Sequence, residues 1–303
     1  MLPNFLIIGP PKCASTSLHY YLGQHPEIYM SKVKETFFFV KDYEKGMNFY
    51  EKYFEEAGNA KMVGEATPVY AFLPFVADRI KEHIPQAKLI LCFRNPMDRT
   101  FSSWLMQRGM GVEKATFRDA VDINIKQLEY VTLEGAKGAE TWNSSVGNFD
   151  IGESRLRTYI QAGRYADIIK SYEKRFNPSQ IKVIFMEDIK NDFDGTMKSL
   201  FSFLGVDDSF VVPSKEVVNF YFDRKANKVS NKIIGIKGTR FLAKRIPKGI
   251  KNIFKNKWRV KETPKISDED RQYLWDKIFK DDVAELEKMT GRSLSIWQPK
   301  IKG

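Results

Sequence analysis

A single lysine, Lys12, stands just ahead of a cluster of small and hydroxylated residues in FLIIGPPKCASTSLHYYL, residues 5–22. The apolar run before it ends at Gly9, and a helical pattern begins near Ser15. A strand that turns directly into a helix points free backbone N–H groups and the positive end of the helix dipole at the intervening loop. Small residues at 13–17 let the backbone approach an oxyanion closely, while the hydroxyls and Lys12 add donors. The stretch therefore predicts an anion-binding site.

The spacing in this loop differs from that of the common nucleotide-binding loops. A Walker A motif reads G-x-x-x-x-G-K-[ST], whereas here the second glycine is missing and Cys13-Ala14 separates Lys12 from the serine and threonine cluster. The G-x-G-x-x-G fingerprint is absent as well. On this loop alone, a structural strand–turn–helix with an exposed lysine remains an alternative.

A second group of polar residues follows another apolar run, in CFRNPMDRTFSSWLMQ. Arg94 leaves the carboxyl end of the predicted strand 88–93, Asn95-Pro96 begins a helix, and Ser102 lies two turns along it. Ligands of open α/β sheets bind outside the carboxyl ends of the strands, so Arg94 and the first loop should converge on one crevice. An arginine there suits a phosphate monoester, whereas a P-loop kinase or ATPase more often presents an aspartate for magnesium. A helix-terminal salt bridge is the alternative role for Arg94.

Short apolar runs alternate with helical patterns along the chain, and they predict the elements that position both motifs. Runs that are apolar on both faces are typical of a parallel sheet covered by helices. The predicted strands are 5–9, 62–66, 88–93 and 181–189. The predicted helices are 16–24, 72–84, 96–110, 117–134, 153–176 and 193–204. The stretch 140–152 is the most loop-like part of the interior of the chain. We expect one α/β domain over residues 1–303, three layers deep, with a central parallel sheet flanked by helices.

The composition favours an anionic partner and disfavours several kinds of site. The formal net charge is +11 and the pI is near 9.3, which suits a nucleotide, a nucleic acid, an acidic glycan or a membrane surface. With two cysteines and three histidines, neither a disulfide framework nor a metal site is expected. The apolar run 5–8 is too short for a signal peptide or a membrane span, which predicts a cytoplasmic protein.

Both polar motifs resemble those of the sulfotransferases that use 3′-phosphoadenosine-5′-phosphosulfate (PAPS). GPPKCASTSL is similar to their 5′-phosphosulfate loop, and FRNPMDRTFSSW to their R-x-P-x-x-R-x-x-S motif for the 3′-phosphate. SKVKETFFF at 31–39 and GEATPVY at 64–70 resemble segments of the heparan-sulfate-type and bacterial carbohydrate sulfotransferase branch. GRYADIIKSYEKRF, IKVIFMEDI and the ending ELEKMTGRSLSIW resemble the later blocks of the family. The similarity thus covers most of the chain, in the expected order.

The resemblance implies a P-loop-like fold and a role for each matching residue. The 5′-phosphosulfate would be bound by Lys12, Cys13, Ala14, Ser15, Thr16 and Ser17. Arg94 and Ser102 would bind the 3′-phosphate, and Glu35 would remove the acceptor proton, with Glu65 as the alternative base. Lys12 and the loop N–H groups would stabilise charge that develops on the leaving phosphate oxygen. No metal is required in principle, because a sulfuryl group carries fewer negative charges than a γ-phosphoryl group.

Two basic stretches near the carboxyl end complete the predicted site. Residues 219–240 stand where the family places a loop over the adenosine and its 3′-phosphate. The candidate nucleotide contacts in this loop are Tyr221, Lys237, Gly238 and Arg240. Residues 244–261 carry apolar residues at helical spacing among many cations, which is typical of a helix lying on an anionic membrane or of one packed on its own domain.

Departures from the pattern bear on the acceptor. Where the glycosaminoglycan enzymes have K-E-P-H, this chain has Lys34-Glu35-Thr36-Phe37, and Ala66 replaces a frequent lysine. We therefore expect a PAPS-dependent sulfotransferase that acts on a hydroxyl, or less readily an amine, of a carbohydrate, glycolipid or small secondary metabolite. The alternatives are a nucleotide kinase with an atypical P-loop and a non-enzymatic nucleic-acid-binding protein.

Overall fold

A parallel sheet of five strands forms the centre of the protein, for which the computed structural model describes residues 1–147, 156–216 and 264–299. The strands are β1 (Phe5–Ile7), β2 (Ile28–Met30), β3 (Met62–Ala66), β4 (Lys88–Phe93) and β5 (Ile181–Phe185). Their order in the sheet is β2-β3-β1-β4-β5, with every neighbouring pair parallel. The chain first builds one side of β1 and then the other, so the loop after β1 lies at the topological switch point, where open α/β sheets bind their ligands.

Helices connect and cover the strands. The α-helices are α1 (Ser15–Leu22), α2 (Met47–Glu51), α3 (Pro74–His83), α4 (Pro96–Gly109), α5 (Phe117–Leu128), α6 (Gly135–Gly147), α7 (Tyr165–Glu173), α8 (Met186–Asn191), α9 (Phe193–Leu204), α10 (Asp268–Leu274) and α11 (Lys280–Thr290). Single turns of 3₁₀ or π helix lie at Phe38–Asp42, Tyr43–Lys45, Lys52–Ala57, Pro68–Phe72, Gln161–Gly163, Pro178–Gln180, Trp275–Phe279 and Ser295–Trp297.

The side chains of the central strands alternate between two apolar cores. Leu6 and Leu89 face the larger core, to which α3, α7 and α11 contribute. Ile7 and Ile90 face the smaller core, which α1 and α9 complete. Because both faces of the strands are buried, their sequences are continuously apolar rather than alternating. The helices on both faces confirm the predicted three-layer α/β fold with a central parallel sheet.

Two features of the sheet differ from the prediction. The predicted strand 181–189 ends at Phe185, where the Asp188 carboxylate accepts a hydrogen bond from the Phe185 N–H at 3.0 Å and α8 begins. The edge strand β2 was not predicted, and it pairs Ile28 with Met62 of β3. A strand of three residues is too short to show a periodic pattern, so its pairing partner defines it.

The helices between β4 and β5 also differ from the prediction. The stretch 140–152, interpreted as a loop, is helical as far as Gly147 within α6. Trp142 of α6 packs edge to face on Phe72, with ring centroids 6.1 Å apart, and such tertiary packing overrides weak local propensity. The predicted helix 153–176 is confined to α7 among the described residues, and the predicted helix 117–134 ends with α5.

Candidate active site

The loop between β1 and α1 has the geometry of an anion cradle. Gly9 lies so close to β4 that a Cβ there would be 2.7 Å from the backbone nitrogen of Cys92. Lys12 and Ala14 have positive φ angles of 73° and 61°, which turn the chain sharply into α1. Ala14 occupies the N-cap position and offers no side-chain hydrogen bond to the first turn of α1. The N–H groups of that turn are therefore available to an anion.

The hydroxyl of Ser17, in the first turn of α1, is unpaired among the described residues. Its Oγ is buried and has no hydrogen-bond partner among the described residues. Buried polar groups are satisfied in the great majority of cases, so an unpaired hydroxyl beside a helix N-terminus indicates a missing ligand oxygen. This loop therefore fits the phosphosulfate group that the sequence predicts for it.

Lys12 is held in a partly buried and electropositive position. Burial, and then the nearby charge of Arg94, lower the pKa of the Lys12 ammonium, whereas Glu35 acts in the opposite direction. Lys12 and Arg94 follow the neighbouring strands β1 and β4, so they lie at the same end of the sheet, and Glu35 is close enough to affect Lys12. An anion bound between Lys12 and Arg94 would relieve their mutual repulsion.

Tyr165 fixes the first loop relative to Arg94. Its hydroxyl donates to the Arg94 carbonyl oxygen at 2.7 Å and lies 3.9 Å from the Cys13 Sγ. Its ring stacks on Phe93, with centroids 4.3 Å apart. Burial raises the pKa of the Cys13 thiol to about 11. Cys13 thus presents only its backbone to a ligand. Tyr165 was not predicted as a site residue, because no local motif marks it.

The two arginines of the R-x-P-x-x-R motif lie in different surroundings. Arg94 is half-buried, and its guanidinium makes no ion pair with the described residues, so the alternative of a helix-terminal salt bridge is not observed there. Arg99 is fully buried and donates to the carbonyl oxygen of Tyr159 and to Thr100 Oγ1. Arg94 is therefore the arginine of this motif that is placed to meet a ligand, while Arg99 ties α4 to the segment before α7.

Glu35 lies in a loop that continues from the edge strand β2. Its N–H donates to the carbonyl oxygen of Ala66, the last residue of β3, at 3.1 Å. The segment 28–35 thus runs beside the sheet edge and returns to the mouth of the cleft. The Lys34 Nζ lies 2.5 Å from the Glu35 Oε1. Glu35 and Lys12 line the same cavity.

Glu65 does not face this cavity, which contradicts its role as the alternative base. Its carboxylate is completely buried and accepts hydrogen bonds from the hydroxyls of Tyr50, Thr67 and Thr36 at 2.7, 2.7 and 2.8 Å. Burial raises the pKa of this carboxyl, and the three donors oppose that shift. Because Thr36 adjoins Glu35, Glu65 is a positioning residue for the Glu35 loop.

The cavity that contains Lys12 and Glu35 has a volume of about 440 Å³. Its polar end includes Ser15, Thr16 and Ser103, while the rest of its wall is largely apolar. Ser103 of α4 lines it, while Ser102, predicted to bind the 3′-phosphate, lies half-buried on the adjacent face of α4 and stays a prediction. A second cavity of about 690 Å³ between α3, α5 and α7 contains none of the predicted site residues.

Several predicted features lie outside the described residues. These are Tyr221, Lys237, Gly238, Arg240 and the basic stretch 244–261. Within the described ranges, no cluster of three or more histidine, cysteine, aspartate or glutamate side chains could hold a metal ion. No helix in those same ranges is long and apolar enough to cross a membrane.

The described arrangement supports one kind of chemistry. A helix N-terminus and Lys12 can hold an anionic group at one end of the cavity, and the Glu35 carboxylate can accept a proton from a hydroxyl beside it. These are the parts that transfer of an anionic group to an alcohol requires.

Known proteins match this fold and these motifs. A family model described as "Sulfotransferase domain" matches residues 2–269. The crystal structure of a sulfotransferase from Alicyclobacillus acidocaldarius superposes with a TM-score of 0.66 at 26% identity, covering 98% of this chain and 99% of that one.

Two curated relatives match over shorter regions. The chain is 42% identical over 106 residues to the membrane-associated sulfotransferase kil1 of Dictyostelium discoideum, covering 34% of this chain. It is 25% identical over 213 residues to the human bifunctional heparan sulfate N-deacetylase/N-sulfotransferase 2, covering 68% of this chain. Each match spans 22% of the length of the relative. Because the family match covers most of its length, the chain belongs to the sulfotransferase family.

Proposed function

We propose that this protein transfers the sulfuryl group of PAPS to a hydroxyl of a small-molecule or saccharide acceptor. The observation that carries the proposal is the combination of Lys12 and the open N-terminus of α1, with Ser15 and Thr16, at one end of a cavity that also contains Glu35. Membership of the sulfotransferase family disfavours both the atypical nucleotide kinase and the nucleic-acid-binding protein.

The proposed reaction is a direct displacement at sulfur. Lys12 and the backbone N–H groups of the loop bind the 5′-phosphosulfate, and Arg94 binds the 3′-phosphate. The acceptor oxygen forms a bond to sulfur as the bond from sulfur to the leaving phosphate oxygen breaks, and Glu35 takes the acceptor proton. Lys12 then stabilises the negative charge that develops on the leaving oxygen. The products are the sulfate ester and 3′-phosphoadenosine-5′-phosphate (PAP).

Four finer expectations stay predictions. One relative is named for heparan sulfate, which supports a saccharide acceptor as one candidate. Another is described as membrane-associated. Fractionation of cells that express the full chain would test both the predicted cytoplasmic location and the predicted membrane contact of 244–261. A single cooperative unfolding transition would support the assignment of 1–303 to one domain.

A calorimetric titration tests the proposed donor. We expect PAP to bind the full chain in the absence of metal, and ATP with magnesium to bind far more weakly, because ATP has no 3′-phosphate for Arg94. Binding of magnesium-ATP in preference to PAP would contradict the proposal and favour the kinase alternative.

The substitution Arg94→Ala tests the recognition of the 3′-phosphate. It should weaken PAP binding by about 1.5–3 kcal/mol, the scale of a hydrogen bond to a charged group. Adenosine 5′-phosphosulfate, which lacks the 3′-phosphate, should bind both proteins with similar affinity. Arg108→Ala, which removes an exposed arginine from α4, the helix that follows Arg94, is the control and should leave PAP affinity unchanged. Equal losses for both nucleotides would show that Arg94 does not read the 3′-phosphate.

A further inference from the structure

The cavity wall beyond the Lys12 end is made largely of apolar side chains. Large apolar residues on this wall are Phe37, Phe72, Met106, Met110, Trp142 and Leu156. They come from the Glu35 loop, the turn after β3, α4, α6 and the segment before α7. Five separate parts of the fold thus contribute apolar side chains to the cavity.

In the part of the chain that the structure describes, the charged side chains on this wall belong to the reaction centre. Among the described lining residues, Lys12 is the one cation and Glu35 the one anion. Arg108 lies on α4 near Met110, but its guanidinium donates to the Lys114 carbonyl oxygen at 2.5 Å and does not line the cavity. A polyanionic acceptor needs several fixed cations, and a desolvated anion beside apolar walls is costly. The wall therefore matches a neutral acceptor.

Phe37 stands next to the reaction centre, two residues after Glu35. It has a φ of 54°, which is unusual for a bulky residue, and its carbonyl oxygen accepts hydrogen bonds from the N–H groups of Val40 and Lys41 at 3.1 and 2.7 Å. These bonds hold Phe37 at the cavity wall. Phe37 therefore places an apolar ring on the wall beside Glu35.

The mouth of the cavity is apolar as well. Met110 is 49% exposed at its end of α4, with Val112 beside it on the wall. Methionine side chains adapt to apolar ligands of different shape. Neutral polar groups on the wall, including Ser103 and Thr158, can orient an acceptor without selecting for charge. A volume of about 440 Å³ is that of a site for a small molecule rather than for an extended polymer.

We propose that the acceptor is a neutral alcohol with an apolar body, which enters past Met110, packs on Phe37 and Trp142, and presents its hydroxyl to Glu35. This inference rests on the proposed function for the identity of the reaction, but the wall can be tested by binding alone. An uncharged alkyl glycoside has the required chemistry, since it joins a neutral hydroxyl-bearing ring to an apolar chain.

The experiment measures binding of a homologous series of alkyl β-glucosides to the full chain, with and without PAP, below their micelle-forming concentrations. Affinity should rise by about threefold to fourfold per added methylene until the cavity is filled, because each buried methylene leaves water. A heparosan oligosaccharide, which is anionic, should bind at least tenfold more weakly than the hexyl glucoside. An affinity that does not depend on chain length, or a preference for the anionic oligosaccharide, would overturn the inference.

Two variants locate the effect in this cavity. Met110→Lys and Trp142→Ala should each lower hexyl glucoside affinity by about fivefold or more, through an added cation and lost contact respectively. Tyr130→Ala removes an aromatic side chain that is 74% exposed and does not line the cavity, and it should change nothing. Failure of PAP to bind would refute the proposed function while leaving the chain-length test intact. Equal glucoside affinity in all variants would overturn the assignment of the wall.

Discussion

Backbone strain in the described residues is concentrated at four side-chain-bearing positions of the active site. Positive φ angles between 54° and 73° occur at Lys12, Ala14, Glu35 and Phe37. Such a conformation costs about 1–2 kcal/mol for a residue with a Cβ. A strained conformation persists where surrounding contacts stabilise it. The hydrogen bond from the Glu35 N–H to the Ala66 carbonyl oxygen is such a contact. The two loops that carry the ammonium and the carboxylate are thus held in fixed, strained conformations.

The substitution Glu35→Gln tests the proposed base. It preserves the size of the side chain but cannot accept the acceptor proton, so turnover should fall by about 10²–10⁴-fold, the usual contribution of a positioned base. PAP affinity should stay within about twofold of the wild type, since in the proposed reaction Glu35 acts on the acceptor and not on the nucleotide. Turnover is measured from PAP release with an accepted alcohol.

Two further variants make the result for Glu35 specific. Lys12→Ala should lower both turnover and PAP affinity, because its charge faces the phosphosulfate in the ground state and in the transition state. Glu56→Gln, which removes an exposed carboxylate paired with Lys32, should do neither. If Glu35→Gln turned over as fast as the wild type in an assay limited by the chemical step, the base would be another residue.

At the scale of elements, β3 holds the Glu35 loop through a buried carboxylate. In β3, the Glu65 Oε2 accepts hydrogen bonds from Thr36 and Thr67, and its Oε1 accepts one from Tyr50. The loop that carries Glu35 and the turn that carries the apolar wall at Val69 and Phe72 are therefore fixed to the same strand. Precise placement of Glu35 depends on this network, since a shift of about 1 Å can reduce a rate by up to 10²-fold.

The substitution Glu65→Gln tests this positioning role. An amide group cannot accept all three hydroxyl hydrogen bonds, so stability should fall by about 1–3 kcal/mol. Turnover of the folded protein should fall by roughly 10-fold or more, while PAP affinity stays unchanged because the phosphosulfate loop does not contact Glu65. The measurements are thermal unfolding, turnover well below the unfolding temperature, and calorimetry with PAP. A variant that loses stability but keeps full turnover would show that Glu65 is structural only.

At the scale of the whole molecule, the carboxyl-terminal helix supports the active site from behind. Asp282 of α11 accepts hydrogen bonds from the N–H groups of Tyr165 and Ala166 at 2.8 and 3.2 Å, and so caps α7. Tyr165 in turn bonds to the Arg94 carbonyl oxygen. Trp297 is 1% exposed, and its carbonyl oxygen accepts from the Asn95 Nδ2 at 3.2 Å. Residues about 200 positions apart in sequence thus jointly determine where Arg94 lies.

The pH dependence of stability should report on Asp282. Burial raises the pKa of its carboxyl from an ordinary value of 3.8 to about 7. A raised pKa in the folded state contributes stability that is fully present below about pH 4 and is lost as pH rises through 7. Relative to Asp282→Asn, the wild type should therefore lose free energy of unfolding between pH 4 and 7, by up to about 1.4 kcal/mol per pH unit.

Urea unfolding at fixed pH values between 4 and 8 measures this difference. The control is Asp281→Asn, which changes an exposed neighbour on the same helix and should shift the curve equally at every pH. A constant difference between wild type and Asp282→Asn across this range would contradict the raised pKa.

Local patterns in the sequence determined the elements that carry the chemistry. The strands 62–66 and 88–93 and the helix 193–204 agree with the structure at both ends, because continuous apolar runs and a terminal glycine mark them. The meeting of Lys12 and Glu35 in one cavity followed from motif resemblance and from the rule that ligands bind at the carboxyl ends of parallel strands.

Features that depend on distant partners were decided by the tertiary structure alone. The edge strand β2 exists through its pairing with β3, and the helix α6 through packing such as that of Trp142 on Phe72. The sequence indicates Glu65 as a candidate base. In the structure its carboxylate is buried and accepts hydrogen bonds from three hydroxyls of separate segments. The apolar acceptor wall likewise comes from five segments with no common motif. Contacts between residues far apart in sequence leave no local periodicity, so they emerge only when the chain is folded.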